Sequence, residues 1–394
     1  MGIFSKPKKL EELTLVFDIG SSSVGGALFL MQSSGIPKII CSIREPIIFE
    51  KKINFDRFLV LTSRALSVVA GKIYKKGLGA PQSIFCVLSS PWYASQVRTI
   101  KLEKNAPFIF NQKLADDLIQ KEIASFEAEH LNKNSEEIKS RLRLIEQKNT
   151  KTILNGYKTE NPFNKKAKEI EMSLFVSMSP EYILKDFEDA ILKHFHFKNI
   201  KFSSFAMASF IVARDIFAHQ DNFLLVDIGG EVTDISMIKN NALRESISFP
   251  IGPNYIIRGM ASELRCTLAE AKSFFSFYKD GHADDPTALK LDPIMNKLKT
   301  SWLGKFQESL ASLSNDISIP SIIFVAVDKD YANFFSEAAK NEQFNQYILT
   351  ESKFQIVFLD TGVFHGAAIF EDDTVRDSFI VIEAIYLNRF FVNE

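Results

Sequence analysis

The sequence predicts an α/β protein built from two related halves, with a small α+β domain inserted into the first half. Residues 13–28 and 223–238 repeat one pattern, in which an apolar strand ends on Asp-Ile-Gly, a short turn follows, and a second apolar strand begins. This pattern is typical of a hairpin with an exposed backbone at its turn. Between 95 and 202 the chain changes to charged stretches and alternating strands, which indicates a separate unit.

Composition supports a globular protein and excludes several function classes. The chain has 394 residues, 46% of them hydrophobic, and 36 phenylalanines, which is enough apolar material for a sizeable core. A net charge of -1 gives no electrostatic basis for binding nucleic acid. No apolar run is long enough to span a bilayer. Three widely spaced cysteines indicate buried thiols in a reducing cytosol.

Apolar periodicity places the remaining elements in chain order. Helical spacing predicts helices over residues 55–74, 180–195, 204–218, 294–313 and 331–340, and one or two solvated helices over 112–148. Short apolar or alternating runs predict strands over 84–88, 97–102, 168–178, 242–250, 321–327 and 354–359, and a strand pair over 36–49. The apolar run 379–391 predicts a final core strand or a strand followed by a helix. The predicted domains are a flexible basic N-terminus (1–11), the first lobe (12–94), the insert (95–202), and the rest of the first lobe with the second lobe (203–394).

The two Asp-Ile-Gly turns are the candidate site. We call residues 18–23 the first turn and residues 227–233 the second turn. Glycines there let backbone N–H groups approach an anion, and an aspartate can orient waters on a cation. The sequence therefore predicts a shared phosphate site with Mg²⁺ held through water by Asp18 and Asp227. The predicted phosphate ligands are Gly20, Ser21, Ser22, Ser23, Gly229, Gly230 and Glu231, with Thr233 supporting the second turn.

These turns resemble the two phosphate motifs of the actin-like ATPase superfamily, and within it the bacterial FtsA/PilM group. Residues 205–209, 249–252 and 265–271 also resemble segments of FtsA. The resemblance covers roughly residues 12–340. It implies a two-lobed actin-like (ribonuclease H-like) fold that binds ATP and Mg²⁺ between the lobes. It adds Gly252 and Glu270 to the nucleotide site, and it gives Asp18 and Asp227 the catalytic role of positioning Mg²⁺ and water.

The sequence departs from the group at four places, one of which is Gly252-Pro253 where the group usually has Gly-Gly. The group often has a lysine in or just after the first turn, where this chain has Val24-Gly25-Gly26. The usual ribose-side glutamate and lysine correspond to Lys272 and Phe275. The glycines expected after the strand at 322–325 are replaced by the run 326–330, Ala-Val-Asp-Lys-Asp, whose side chains would obstruct the approach of an adenine. The phosphate half of the site is predicted to be competent and the adenosine half to be eroded.

The resemblance implies one leading function and two alternatives. The leading function is an FtsA-like scaffold of cell division at the cytoplasmic face of the inner membrane, which polymerises or recruits a tubulin-like division protein. The second is a PilM-like protein of type IV pilus assembly, with a pilus membrane protein as its partner. FtsA-type proteins usually end in a basic amphipathic membrane helix, whereas Arg389 is the sole cation in residues 383–394, which favours the second function. The third is a scaffold that binds no nucleotide, so weak ATPase activity stays an open alternative.

Overall fold

The chain begins with the strands and helix of the first lobe. In this computed structural model, residues 12–133, 141–197, 199–313, 318–340 and 354–391 are described. The opening elements are β1 (Glu12–Ile19), β2 (Ser23–Met31), β3 (Lys38–Pro46), α1 (Phe55–Lys75) and β4 (Ser83–Leu88). A single strand, β3, replaces the strand pair predicted over 36–49. The predicted N-terminal tail, 1–11, lies outside the described residues.

The insert is a small sheet covered by one helix. It consists of β5 (Ala94–Phe110), α2 (Gln112–Lys133), β6 (Leu142–Leu154), β7 (Tyr157–Lys158) and β8 (Lys165–Pro180), with strand order β5-β8-β6-β7. The prediction of helix over 112–148 was wrong for residues 142–148, which belong to strand β6, and its residues 134–140 lie outside the described residues. Most residues of β6 are partly or fully exposed, and Glu146, Thr152 and Leu154 are its buried positions.

The chain then returns to the first lobe through α3 (Glu181–Leu192), β9 (Ile200–Ser204) and α4 (Phe205–Ile216). The prediction assigned α3 and β9 to the insert. In the structure β9 pairs with β4, and α3 packs in the core of the first lobe. The sheet and helix of the insert therefore occupy residues 94–180.

The second lobe follows. Its strands are β10 (Phe223–Ile228), β11 (Thr233–Lys239), β12 (Ala242–Phe249), β13 (Ile322–Val327) and β14 (Gln355–Phe358). Its helices are α5 (Pro253–Leu264), α6 (Leu268–Lys279), α7 (Asp285–Leu313) and α8 (Lys329–Lys340). The chain ends in the first lobe with β15 (Ile369–Phe370) and α9 (Ser378–Phe391). The segment 379–391 was predicted as a strand or a strand followed by a helix, and the structure has a helix and no strand there.

Two large sheets face each other across α4 and α9. Their strand orders are β15-β3-β2-β1-β4-β9 and β12-β11-β10-β13-β14. Alternate residues of β1 point to opposite faces, so that Leu15 and Phe17 pack with α1 and α3 while Val16 packs with α4 and α9. The second sheet contributes Phe223 and Leu225 to the same core as α4 and α9. Asp18 is two residues after Val16, and Asp227 is two residues after Leu225. Each aspartate therefore lies on the same face of its strand as these core residues, toward the space between the sheets.

A buried polar network attaches the insert to the first lobe. Glu146 of β6 accepts hydrogen bonds from the hydroxyl of Ser203 (3.0 Å), from that of Ser204 (2.8 Å) and from that of Tyr386 on α9. Buried carboxylates need such partners to offset their desolvation. The network therefore connects the insert, β9 and the C-terminal helix. Among the described helices, none has both the length and the hydropathy needed to cross a bilayer.

Candidate functional site

Both predicted turns line one cavity between the lobes. The cavity has a volume of about 270 Å³ and is lined by Asp18 and Asp227, by residues 20–23 and by Gly229 and Gly230. Each aspartate lies near the end of a central strand, β1 or β10, where the hairpin turn begins. The structure thus brings together two segments that are far apart in the sequence. The volume is slightly below the range typical of small-molecule sites, roughly 300–1,000 Å³.

The two turns contact each other directly. A Cβ atom at position 230 would lie 2.7 Å from the Cβ and the backbone nitrogen of Ser22, so only glycine fits there. The N–H of Glu231 donates to the hydroxyl of Ser21 at 3.1 Å, across the lobes. Two further amides are used within their own turns, since Gly20 N–H donates to Ser23 O and Gly229 N–H to Val232 O. Three of the amides predicted to cradle phosphate are therefore already hydrogen-bonded.

A cation lies beside Asp18. Arg44 of β3 donates from Nη2 to Asp18 at 2.6 Å, from Nη1 to the Ser23 hydroxyl at 2.8 Å and from Nε to Asp377 at 2.6 Å. In the pairing of the first sheet, Asp18 lies opposite Gly25, and Gly25 lies opposite Arg44. A Cβ atom at Gly25 would be 2.7 Å from Arg44 Nη2. The glycine therefore leaves the room through which the arginine side chain crosses β2 to Asp18.

The N-terminus of α9 completes this charge cluster. Asp377 caps the helix by accepting hydrogen bonds from the N–H groups of Phe379 (3.0 Å) and Ile380 (3.3 Å). Burial opposes the charge of Arg44, but Asp377 and Asp18 outweigh burial and raise the pKa of the guanidinium. Burial raises the pKa of Asp18, and Arg44 acts in the opposite direction. Burial and then Asp18 raise the pKa of Glu383 on α9 well above its usual value, which favours the protonated form of this carboxyl.

The second turn has a different electrostatic environment. Asp227 lies opposite Asp234 in the β10–β11 hairpin. Burial and then the charges of Asp234 and Asp18 raise the pKa of Asp227 well above its usual value. Asp234 accepts hydrogen bonds from Ser90 Oγ at 3.0 Å and from Ser248. No lysine or arginine of the described segments forms an ion pair with Asp227.

Four predicted site residues do not line the cavity. Glu231 is paired with Arg258 and accepts from the Asn254 amide at 2.8 Å. The Thr233 hydroxyl donates to Ile251 O at 2.7 Å and accepts from Trp302 Nε1 at 3.2 Å. Gly252 packs on the second turn, where a Cβ atom would be 2.1 Å from Gly229 O. Glu270 forms a capping box with Thr267 at the start of α6. In the structure these four residues stabilise the turns and helix ends around the cavity.

The cavity also contains side chains that the sequence analysis did not assign to the site. Besides Arg44, they include Phe49, Lys272, Asp328 and Tyr331. Lys272 of α6 has no ion-pair partner within the described part of the chain. Tyr331 stacks on Phe275 with ring centroids 4.9 Å apart, and burial with Asp328 and Asp330 raises its pKa to about 12. Asp328 and Tyr331 belong to the segment predicted to replace the adenosine glycines. Arg44 is recognised only from the strand register, which places it opposite Gly25 and Gly25 opposite Asp18.

The Mg²⁺ ion that the family resemblance implies does not fit beside Asp18. The guanidinium of Arg44 is 2.6 Å from the carboxylate oxygen that would orient the metal's waters. The side chain of Asp18 is only 3% exposed, so a hydrated ion would have to displace the arginine. The described residues also contain no cluster of three histidine, cysteine or acidic side chains that could hold a metal. The cation next to the first turn is therefore part of the chain itself.

Comparison with known proteins identifies the fold. No protein-family model and no curated protein sequence matches the chain. A solved structure of the PilM–PilN type IV pilus biogenesis complex is similar with a TM-score of 0.60 and 11% identity, over 97% of this chain and 98% of that one. The ethanolamine utilization protein EutJ from Carboxydothermus hydrogenoformans has a TM-score of 0.42 and 10% identity, over 97% of this chain and 91% of that one. The sheet order and the PilM similarity show that the chain has the two-lobed actin-like ATPase fold with an inserted α+β domain.

Proposed function

We propose that this chain is an assembly scaffold of the PilM type, which binds a cytoplasmic segment of a pilus membrane protein and holds a phosphate-bearing ligand in its cleft. The observation that carries the proposal is the end-to-end structural similarity to a PilM–PilN complex, over 97% of this chain. The similarity includes the insert as well as both lobes. The proposed location is the cytoplasmic face of the inner membrane, reached through the partner.

The insert has a strand edge suited to an extended peptide. β5 is 17 residues long and lies at one end of the strand order β5-β8-β6-β7. A peptide can add to such an edge through backbone hydrogen bonds, and side-chain pockets then supply selectivity. Exposed side chains predominate along β5, so its outer part is accessible. We propose this edge as the docking place for the partner segment.

The cleft supports ligand binding more than turnover. ATP is the proposed ligand, because the cavity contains both turns, the Arg44 and Lys272 cations and the Tyr331 ring. Hydrolysis would require a group that activates water. Asp18 is held by Arg44, and the raised pKa of Asp227 favours its protonated form, which is a poor base for that role. We therefore propose that ATP binding regulates the scaffold and that hydrolysis, if measurable, is slow.

A binding experiment separates the two partner alternatives. The full chain is immobilised and offered the cytoplasmic segment of a pilus membrane protein and, separately, a tubulin-like division protein from the same genome. Retention of the pilus segment supports the proposal. Retention of the division protein in its place contradicts the proposal and supports an FtsA-like division scaffold. Sedimentation of the chain with and without ATP tests the self-polymer that the FtsA alternative implies.

Calorimetry with ATP tests the ligand. The expected result is saturable heat that Asp227→Ala weakens, because Asp227 lines the cavity. Ligand binding should also raise the thermal midpoint by mass action. If millimolar ATP gives neither heat nor a thermal shift, a scaffold that binds no nucleotide replaces the present proposal for the cleft. This result is independent of the partner experiment.

A further inference from the structure

Arg44 contacts three oxygen atoms in the way a metal ion would. Its guanidinium donates hydrogen bonds to the carboxylates of Asp18 and Asp377 at 2.6 Å each and to the hydroxyl of Ser23 at 2.8 Å. Carboxylate, hydroxyl and water oxygens are also the ligands that Mg²⁺ prefers. The arginine is therefore placed among the oxygen atoms that would otherwise surround a divalent cation.

The cluster is built into the strands. Gly25 lets the side chain of Arg44 pass, with a hypothetical Cβ atom only 2.7 Å from Nη2. The Phe379 ring lies 5.4 Å from the guanidinium carbon. Asp377 is fixed by its hydrogen bonds to the first turn of α9, where the helix dipole favours its negative charge. Replacement of Arg44 by a hydrated metal would have to overcome all of these contacts.

The arginine can also face a ligand. Arg44 lines the cavity, and its side chain is 27% exposed. A guanidinium has five N–H donors, and three of them are used by Asp18, Ser23 and Asp377. The remaining donors and the ammonium group of Lys272, which lines the same cavity, supply positive charge to a phosphate group.

We infer that Arg44 takes the place of the divalent cation in this cleft, so that a phosphate-bearing ligand binds there without a metal ion. This inference rests on the proposed phosphate-bearing ligand and specifies how the chain recognises it. It also accounts for the first turn, which has no lysine after Ser23 because the cation comes from β3.

The test needs no substitution at first. ATP binding to the full chain is measured by calorimetry in EDTA and again with Mg²⁺ in excess over ATP. The inference predicts an affinity change below about fivefold, which is the lower end of typical coupling between two ligands. Binding that requires Mg²⁺, or that Mg²⁺ strengthens by more than this factor, overturns it. Absence of ATP binding in both buffers also overturns it and leaves the partner experiment unaffected.

Substitutions then assign the effect to Arg44. Arg44→Gln leaves three oxygen ligands without their cation. This variant should therefore bind Mn²⁺, whereas the parent chain should not, and water-proton relaxation measures the binding. Its ATP affinity should now rise with Mg²⁺ by more than about fivefold. Arg64→Gln, at an exposed arginine of α1, is the matched control and should behave like the parent.

Arg44→Lys is the second variant, for the case that Arg44→Gln does not fold. Lysine keeps the positive charge but has a single point of contact. We expect weaker ATP binding that still does not depend on Mg²⁺. If Arg44→Gln folds and its ATP affinity is unchanged and metal-independent, or if the parent chain binds Mn²⁺ as well as the variant does, the inference is wrong.

Discussion

The two turns have the same backbone pattern and opposite electrostatics. In the first sheet, the residues paired across β1, β2 and β3 are Asp18, Gly25 and Arg44. In the second sheet, the corresponding residues across β10, β11 and β12 are Asp227, Asp234 and Ser248. A glycine and an arginine neutralise the first aspartate. A second carboxyl and a serine leave the other aspartate without a counter-ion among the described residues. We call Asp18, Gly25 and Arg44 the first triplet, and Asp227, Asp234 and Ser248 the second triplet.

The comparison shows that the chemistry of a repeated turn depends on the strands beside it. Both turns contain Asp-Ile-Gly, so their backbones are alike. The charge of each aspartate is decided by the residues one and two strands away, which are distant in the sequence. The guanidinium of Arg44, 2.6 Å from Asp18, favours the ionised form of that carboxyl, whereas burial and Asp234 favour the protonated form of Asp227.

The largest effect is expected on breaking the first triplet. Arg44→Gln leaves the buried carboxylate of Asp18 and the partly buried one of Asp377 without their cation, and breaking a buried pair in this way typically costs about 3–5 kcal/mol. Because the Arg44 side chain is 27% exposed, we expect about 3 kcal/mol, seen as a lower urea midpoint in circular dichroism. Combining it with Asp18→Asn should recover part of the loss. An unchanged midpoint for Arg44→Gln would contradict the neutralisation of the first aspartate.

Gly25→Ala should disturb the same triplet from its middle position. The added methyl group would lie 2.7 Å from Arg44 Nη2 and 3.3 Å from Ile380 Cδ1. Overpacking of this kind costs about 1–3 kcal/mol, again measured by urea unfolding. Gly304→Ala in α7 is the matched control, because its Cβ atom would meet nothing within 4 Å. In a helix this change should stabilise by about 0.5–1 kcal/mol.

The second triplet should show itself in the pH dependence of stability. Because burial, Asp234 and Asp18 raise the pKa of Asp227 far above 3.8, the native chain holds a proton that the unfolded chain releases. Stability then falls as pH rises from the unfolded pKa to the folded one, by about 1.4 kcal/mol per pH unit for one group.

Asp227→Asn should remove this slope. The variant should be more stable than the parent at neutral pH, and the difference should shrink as pH falls toward 3.8, the usual pKa of an aspartate. Urea unfolding across this pH range measures the effect. Asp117→Asn, at an exposed position of α2, controls for the loss of one negative charge. A constant difference at all pH values would argue against a protonated Asp227.

The smallest effect concerns the contact between the turns. Ser21→Ala removes the hydroxyl that accepts a hydrogen bond from the Glu231 N–H. This bond joins the two lobes, with an N···O distance of 3.1 Å. We expect a loss of about 1 kcal/mol in unfolding free energy. Ser22→Ala is the control, because the Cβ atom that touches Gly230 is kept. Equal behaviour of the two variants would mean that the turns are separated in solution.

Local patterns predicted the frame of the site. The strand-turn-strand runs at 13–28 and 223–238 form hairpins, and the helix at 55–75 matches its periodicity. Arg44 was not predicted, because its position opposite Gly25 depends on the register between β2 and β3, which contains a bulge between Leu28 and Phe29. A single sequence does not determine such a register.

The C-terminal segment shows a second limit. Residues 379–391 are apolar and rich in β-branched residues, which favours a strand. The segment is instead a helix between two sheets, buried around nearly its whole circumference. A helix covered on all sides lacks the polar face that produces a 3.6-residue period, so periodicity could not identify it.

The position of α9 gives this helix a mechanical consequence. Its cap, Asp377, binds Arg44 at the cleft, and Tyr386, nine residues later, binds Glu146 of the insert. At about 1.5 Å per residue, these contacts are about 13 Å apart along one rod. A displacement of the rod along its axis would move both contacts together. The cleft and the insert are therefore mechanically coupled through one helix.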